Sequence, residues 1–211
     1  MSTPAGIALR EDVPLVMTAA QARALPWDDR RGTWGMWLFI LSETMIFVGL
    51  FFSYYYLANH SQNWPPEKPA SLTIPLIILA VLILGCVVLE WGRRALIADA
   101  ASRGARIALL VGLGCGAAYI VLEVLSFRQY LLIVTPQSDS YGSIYYTILT
   151  IHGAHLVLGM LLMAYALLLP LEPTPRPPHR AYHNSAIYWY FSTVVWLVIV
   201  ACMYLPPYFY R

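Results

Sequence analysis

Charge is scarce in this 211-residue chain. Only 11% of its residues are charged, against about 25% in an ordinary soluble domain. Cysteine is scarce too: Cys86, Cys115 and Cys202 all fall in apolar stretches, and no two have the spacing of a metal or redox pair. They read as small packing residues. The chain has no glycine-rich phosphate loop, no cluster of soft copper ligands and no nucleophile with an obvious base beside it. On these absences it is not expected to bind a nucleotide or carry electrons by itself, and nothing in its charge pattern points to nucleic acid. No internal repeat and no low-complexity segment is visible.

Apolar length is what the chain has. Hydrophobic residues make up 59% of it, and five runs reach the roughly 20 residues that cross a bilayer. They cover about 33–57, 72–97, 105–132, 143–169 and 185–204. Each run is continuously apolar rather than alternating, which favours helices over barrel strands. The expectation is an all-α polytopic membrane protein. A polar arm, 1–32, precedes a single five-helix transmembrane domain, 33–211. The arm has no apolar core of a cleavable signal. Asn63-Trp64-Pro65-Pro66 reads as a turn, and Pro173, Pro175, Pro177 and Pro178 read as a stiff linker.

Basic residues suggest the orientation. With the N-terminus inside, the inner segments hold ten arginines: Arg10, Arg23, Arg30, Arg31, Arg93, Arg94, Arg103, Arg106, Arg176 and Arg180. The outer segments hold three basic residues, Lys68, Arg128 and Arg211. The positive-inside rule then places the N-terminus in the cytoplasm and the C-terminus outside, as five crossings require. Tryptophans and tyrosines cluster near both ends of the runs, where such rings favour the headgroup region.

Against this background the ionisable residues inside the runs stand out. Glu43 lies at the middle of the first, where a charge costs roughly 3 kcal/mol or more. It is either a carboxyl bonded to a neighbouring helix or a proton-exchanging group. Glu123 lies in the third run, and Arg128, five residues on, is badly placed to pair with it. Glu90 precedes Arg93 and Arg94 by three and four residues, the spacing of a helix-surface ion pair. His152 and His155 form HGAH in the fourth run. Two histidines could share a metal, but a site needs three or four protein ligands, and no other run offers a histidine or a well-placed cysteine. His60, His179 and His183 are expected in loops. Small residues mark three helix faces: Gly35, Ser42 and Gly49; Ala108, Gly112 and Gly116, with Glu123 seven further on; and His152, His155 and Gly159. Such stripes let helices approach closely in lipid, so Glu123 and both histidines are expected to face protein.

The blocks WGMWLFILSETMIFVGLFFSYYY (34–56), NWPP (63–66), YGSIYYTILTIHGAHLVLGM (141–160) and YWYFSTVVWLVIVACMY (188–204), in this order, resemble subunit III of the haem–copper respiratory oxidases. The resemblance covers nearly the whole chain after Gly32 and is to the five-span form, which lacks the first two helices of the seven-span form. It implies an accessory subunit with no cofactor of its own, beside subunits I and II, with haem and copper on those partners. It implies bound phospholipid, support for proton uptake by subunit I, and contact with cytochrome c or quinol only through the complex. It places the chain in the bacterial cytoplasmic membrane. The family's mid-membrane glutamate matches Glu43, and its HGxH motif matches His152, Gly153 and His155. Departures are also present. Tyr190 and Thr193 stand for the histidine and aspartate of the family's WHFVDVVW, and Glu123 and Ser126 stand for its glutamine and glutamate. These leave open an accessory subunit of a nitric oxide reductase. A stand-alone proton channel or transporter built on Glu43, Glu123 and HGAH is the other alternative.

Overall fold

The computed structural model describes residues 29–61, 64, 71–98, 103–137, 139–169 and 179–206, which hold five helices and no strand. They are α1 (Asp29–His60), α2 (Thr73–Ala98), α3 (Arg103–Leu131), α4 (Ser140–Leu168) and α5 (His179–Ile199), the last continuing as a π-helical segment through Val200–Tyr204. All five are long and apolar enough to cross a membrane.

Most of the polar arm lies outside the described residues, and its last four positions already belong to α1. The proline linker, Asn63, Pro65 and Pro66 also lie outside them. His60, His179 and His183 are in helices rather than loops. α5 starts six residues ahead of its apolar run because polar residues near a membrane surface continue a helix without entering the hydrocarbon.

Local chemistry sets several ends. Pro75 occupies the first turn of α2, where its missing N–H costs no hydrogen bond. Asp139 caps α4, its Oδ1 accepting from Gly142 N at 2.6 Å. The segment between α3 and α4 is tied down by Tyr146, which donates to the Val134 carbonyl at 3.0 Å.

Helices α2, α3, α4 and α5 form a four-cornered bundle in which α2 meets α3, α3 meets α4, α4 meets α5 and α5 meets α2. α1 packs outside this square, on α4 and α5. Accordingly only 11% of the membrane-crossing part of α1 is buried, against 61% for α5. The diagonal between α3 and α5 is bridged by side chains, with the rings of Tyr119 and Trp196 5.8 Å apart.

The α2–α5 seam repeats every seven residues. Tyr182 donates to the Leu89 carbonyl at 2.7 Å, Trp189 to the Leu82 carbonyl at 3.2 Å and Trp196 to the Pro75 carbonyl at 3.1 Å. Donors and acceptors each step by seven in opposite directions, the register of two antiparallel helices that keep one face together. Glycines on α2 make room for the rings. A methyl carbon built on Gly85 would lie 2.6 Å from Trp189 Nε1, and one on Gly92 would collide with the Tyr182 hydroxyl and Ala108. On α3, Gly116 likewise admits Met160 of α4 and Gly112 admits Met163.

The small-residue face of α1 behaves differently. Nothing lies within 4 Å of a methyl carbon at Gly35 or Gly49, and Ser42 is exposed. That stripe points away from the other helices of this chain.

Gly85→Ala is expected to lower the stability of the purified chain by about 1–3 kcal/mol, because the Trp189 indole must move off its carbonyl. Gly35→Ala is expected to change it by less than about 0.5 kcal/mol. Unfolding in mixed detergent micelles measures both.

Candidate functional site

The polar side chains of the bundle interior converge on α4. Its histidines stand one turn apart on a single face, as a spacing of three requires. His152 is fully buried and His155 nearly so.

His155 reaches α1. Its Nε2 lies 2.6 Å from Glu43 Oε2, and its Nδ1 lies 2.7 Å from the Ile151 carbonyl. A carbonyl only accepts, so Nδ1 carries a hydrogen. The remaining proton between Nε2 and Glu43 has two positions. On the carboxyl it leaves two neutral groups, and on the ring it makes an ion pair. Both arrangements have zero net charge, so the cost of an isolated mid-membrane carboxylate is avoided. At 2.6 Å the contact is a short hydrogen bond, whichever of the two atoms carries the proton. The Phe47 ring packs edge-on against His155, with centroids 4.9 Å apart.

His152 reaches α3 and α5. Its Nε2 donates to the Ser192 carbonyl at 3.0 Å, and its Nδ1 lies 3.0 Å from the Tyr119 hydroxyl. With Nε2 protonated, the neutral ring accepts at Nδ1 and Tyr119 donates. The two histidines therefore take opposite tautomers, each assigned by its partners. Trp196 packs beside His152 at 5.0 Å. Phe47 touches both imidazoles, its ring 6.4 Å from that of His152, so an apolar group wedges against both polar pairs.

Glu123 is buried on α3, one turn beyond Tyr119. Neither of its oxygens has a hydrogen-bond partner among the described residues. It lies within electrostatic reach of Tyr119, Tyr145 and Tyr204, and the hydroxyls of the last two are 2.7 Å apart. Glu123 thus shares the core with the histidines but bonds to neither.

Glu90 stands apart from this group. Arg93 donates to it twice, at 2.7 Å each, and Arg94 once, at 3.0 Å. The three side chains are a third or more exposed, so this ion pair adds little stability. Thr193 bonds back to the Trp189 carbonyl at 3.0 Å and lies 3.3 Å from the Cys86 thiol. Among the described residues no three histidine, cysteine, aspartate or glutamate side chains gather as metal ligands.

Tyr119, Ser192 and Phe47 complete the histidine site, and sequence reasoning missed all three. Tyr119 had a signal, since it continues the Ala108–Gly112–Gly116 face by three residues. Ser192 had none, because it contributes a backbone carbonyl.

Comparison with known proteins finds the cytochrome c oxidase subunit III family matching residues 29–208. Cytochrome c oxidase subunit 3 of Drosophila yakuba is 29% identical over 184 residues, covering 81% of this chain and 68% of that one. The Thermostichus vulcanus protein of the same name is 27% identical over 177 residues, covering 81% of this chain and 85% of its own. The Gallus gallus protein is 28% identical over 181 residues.

His152→Leu is expected to cost about 2 kcal/mol or more, because it leaves the Tyr119 hydroxyl and the Ser192 carbonyl unpaired. Adding Tyr119→Phe should recover part of that loss. A double-mutant cycle in micelles measures the coupling, and strict additivity would break the assigned bond.

Proposed function

Because the chain belongs to the cytochrome c oxidase subunit III family, we propose that it is the accessory, cofactor-free subunit III of a haem–copper terminal oxidase. It sits beside catalytic subunit I and subunit II, which carry the haem and copper, in a bacterial cytoplasmic membrane, with its N-terminus inside. Its contribution is to stabilise subunit I, to hold lipid against the complex and to support proton uptake. Electrons from cytochrome c or quinol reach the complex through the other subunits.

One observation supports the proton part of this reading above the rest. The Glu43–His155 pair is bonded at 2.6 Å, yet Glu43 keeps 18% of its side-chain surface exposed on the loosely packed helix α1. A carboxyl that serves only as glue is expected to have both oxygens enclosed. Glu43 instead presents part of itself outward while its partner shares a proton without a change of net charge.

A second reading, an accessory subunit of a nitric oxide reductase, is favoured by the altered polar seam. Tyr190 and Thr193 replace the family's usual histidine and aspartate, and among the described residues Thr193 bonds to the Trp189 carbonyl of its own helix and to the Cys86 thiol. The subunits that purify with the chain decide between oxygen and nitric oxide chemistry. A stand-alone channel is disfavoured, because Phe47 wedges against the two histidine pairs and no repeat is present.

Purified with its native partners, the complex is expected to show haem bands in visible spectra, while the isolated chain shows none. Haem or copper bound by the isolated chain would overturn the reading. Glu43→Gln keeps a hydrogen bond to His155, so assembly is expected to stay near normal while turnover slows. Glu43→Leu leaves Nε2 unpaired and is expected to weaken assembly by about 1–3 kcal/mol. Quantifying the subunits that co-purify, alongside oxygen-consumption rates, separates the two effects.

A further inference from the structure

The start of α1, the end of α2 and the start of α5 share one end of the bundle, and a pocket of about 240 Å³ lies between them. Arg93, Leu96 and Ile97 line it from α2, Arg180, Tyr182 and His183 from α5, and Thr33 from α1. Among the described residues this lining holds three basic side chains and no carboxylate. Arg93 gives Nε and one terminal nitrogen to Glu90, and its other terminal nitrogen has no hydrogen-bond partner among the described residues. Tyr182 is held by its bond to the Leu89 carbonyl at 2.7 Å, so the α2–α5 seam also fixes the apolar wall of the pocket. Ile97 and His183 are exposed, which leaves the pocket open beyond the helix ends.

The polar arm joins the bundle at this same end, where α1 begins. Its stretch Glu11-Asp12-Val13-Pro14-Leu15-Val16-Met17 sets two adjacent carboxylates before five apolar residues. That order complements a pocket in which Arg93, Arg180 and His183 stand beside Leu96, Ile97 and Tyr182. With Arg10 ahead of it, the stretch still carries a net charge of one negative. Residues 18–28 separate it from α1, and when extended they reach about 36 Å. Thr33 lies only about 6 Å along α1 from Asp29, so the reach suffices. An anionic leaflet repels paired carboxylates, whereas guanidinium forks match them in geometry and charge. The linker 170–178 also carries an acid, Glu172, but Arg176 within it offsets that charge.

We propose that residues 11–17 of the arm dock in this pocket, with the Glu11 and Asp12 carboxylates on Arg93, Arg180 and His183 and the apolar residues that follow along Leu96, Ile97 and Tyr182. Exposed ion pairs by themselves hold little, so the apolar half supplies most of the attachment and the carboxylates set its register. Docking ties the start of α1 to α2, on which α1 does not pack among the described residues. It gives the least buried helix a second anchor beside the Glu43–His155 bond. This docking belongs to the chain itself and does not depend on its place in an oxidase.

Hydrogen exchange of the full chain in lipid nanodiscs tests it. In wild type the amides of 11–17 are expected to exchange about tenfold slower than those of an unstructured peptide, and equally slowly after dilution. Glu11→Gln together with Asp12→Asn is expected to remove that protection, and so is Arg180→Glu. Combining Arg180→Glu with Glu11→Lys and Asp12→Lys is expected to restore much of it, whereas Glu172→Gln leaves it unchanged. The Glu11 and Asp12 variants lie outside the five helices, so they keep the test independent of the folding of the bundle. Amides at 11–17 that exchange freely in wild type, or protection indifferent to the two carboxylates, would overturn the docking. So would failure of the charge reversal to restore protection, a loss in Glu172→Gln, or a loss on dilution, which would assign the contact to a second copy of the chain.

Discussion

Inside a bilayer there is no water to satisfy a stray polar group, and α4 carries two histidines into that setting. Each ring nitrogen must find a partner within the protein. His152 and His155 do so by reaching three other helices and one of their own carbonyls. The result is a tie between α4 and each of α1, α3 and α5 at the same depth. α1 has little burial of its own, so the bond to Glu43 and the Phe47 ring beside it hold it in register. The same bond turns a costly mid-membrane acid into half of a neutral pair.

That arrangement depends on the α2–α5 seam. Three aromatic donors of α5 grip three carbonyls of α2 at intervals of seven, and glycines on α2 let the rings in. The seam fixes the rotation of α5. Fixing that rotation presents the Ser192 carbonyl to His152 and lays Trp196 beside the ring. The ladder between α2 and α5 thereby sets the position of the partners that His152 bonds and packs against.

Much of this was legible in the sequence, to differing degrees. Hydropathy placed all five spans, since burial in lipid leaves a long apolar signature. The spacing of three and four gave the Glu90–Arg93–Arg94 contact, because helix geometry alone decides it. The single face shared by His152 and His155 was visible, but their partners were not. A hydrogen bond between distant helices depends on rotations set by packing elsewhere. The seven-residue spacing of Tyr182, Trp189 and Trp196 could have been read, whereas their acceptors are backbone carbonyls that no side chain marks. The spacing of Gly35, Ser42 and Gly49 predicts a packing face, whereas the stripe points away from the other helices of the chain. A spacing rule says which residues share a face and not which neighbour that face meets.

The central claim is that two histidines of opposite tautomer, each fixed by its neighbours, join the bundle and hold Glu43 in a net-neutral pair. Solid-state nitrogen NMR of the histidine-labelled chain in bilayers tests it most directly, with His152 and His155 assigned by single substitutions. The expected spectrum has His152 protonated at Nε2 and bare at Nδ1, and His155 protonated at Nδ1 with its Nε2 signal moving when Glu43 is replaced. A His152 protonated only at Nδ1, or a His155 signal indifferent to Glu43, would contradict it.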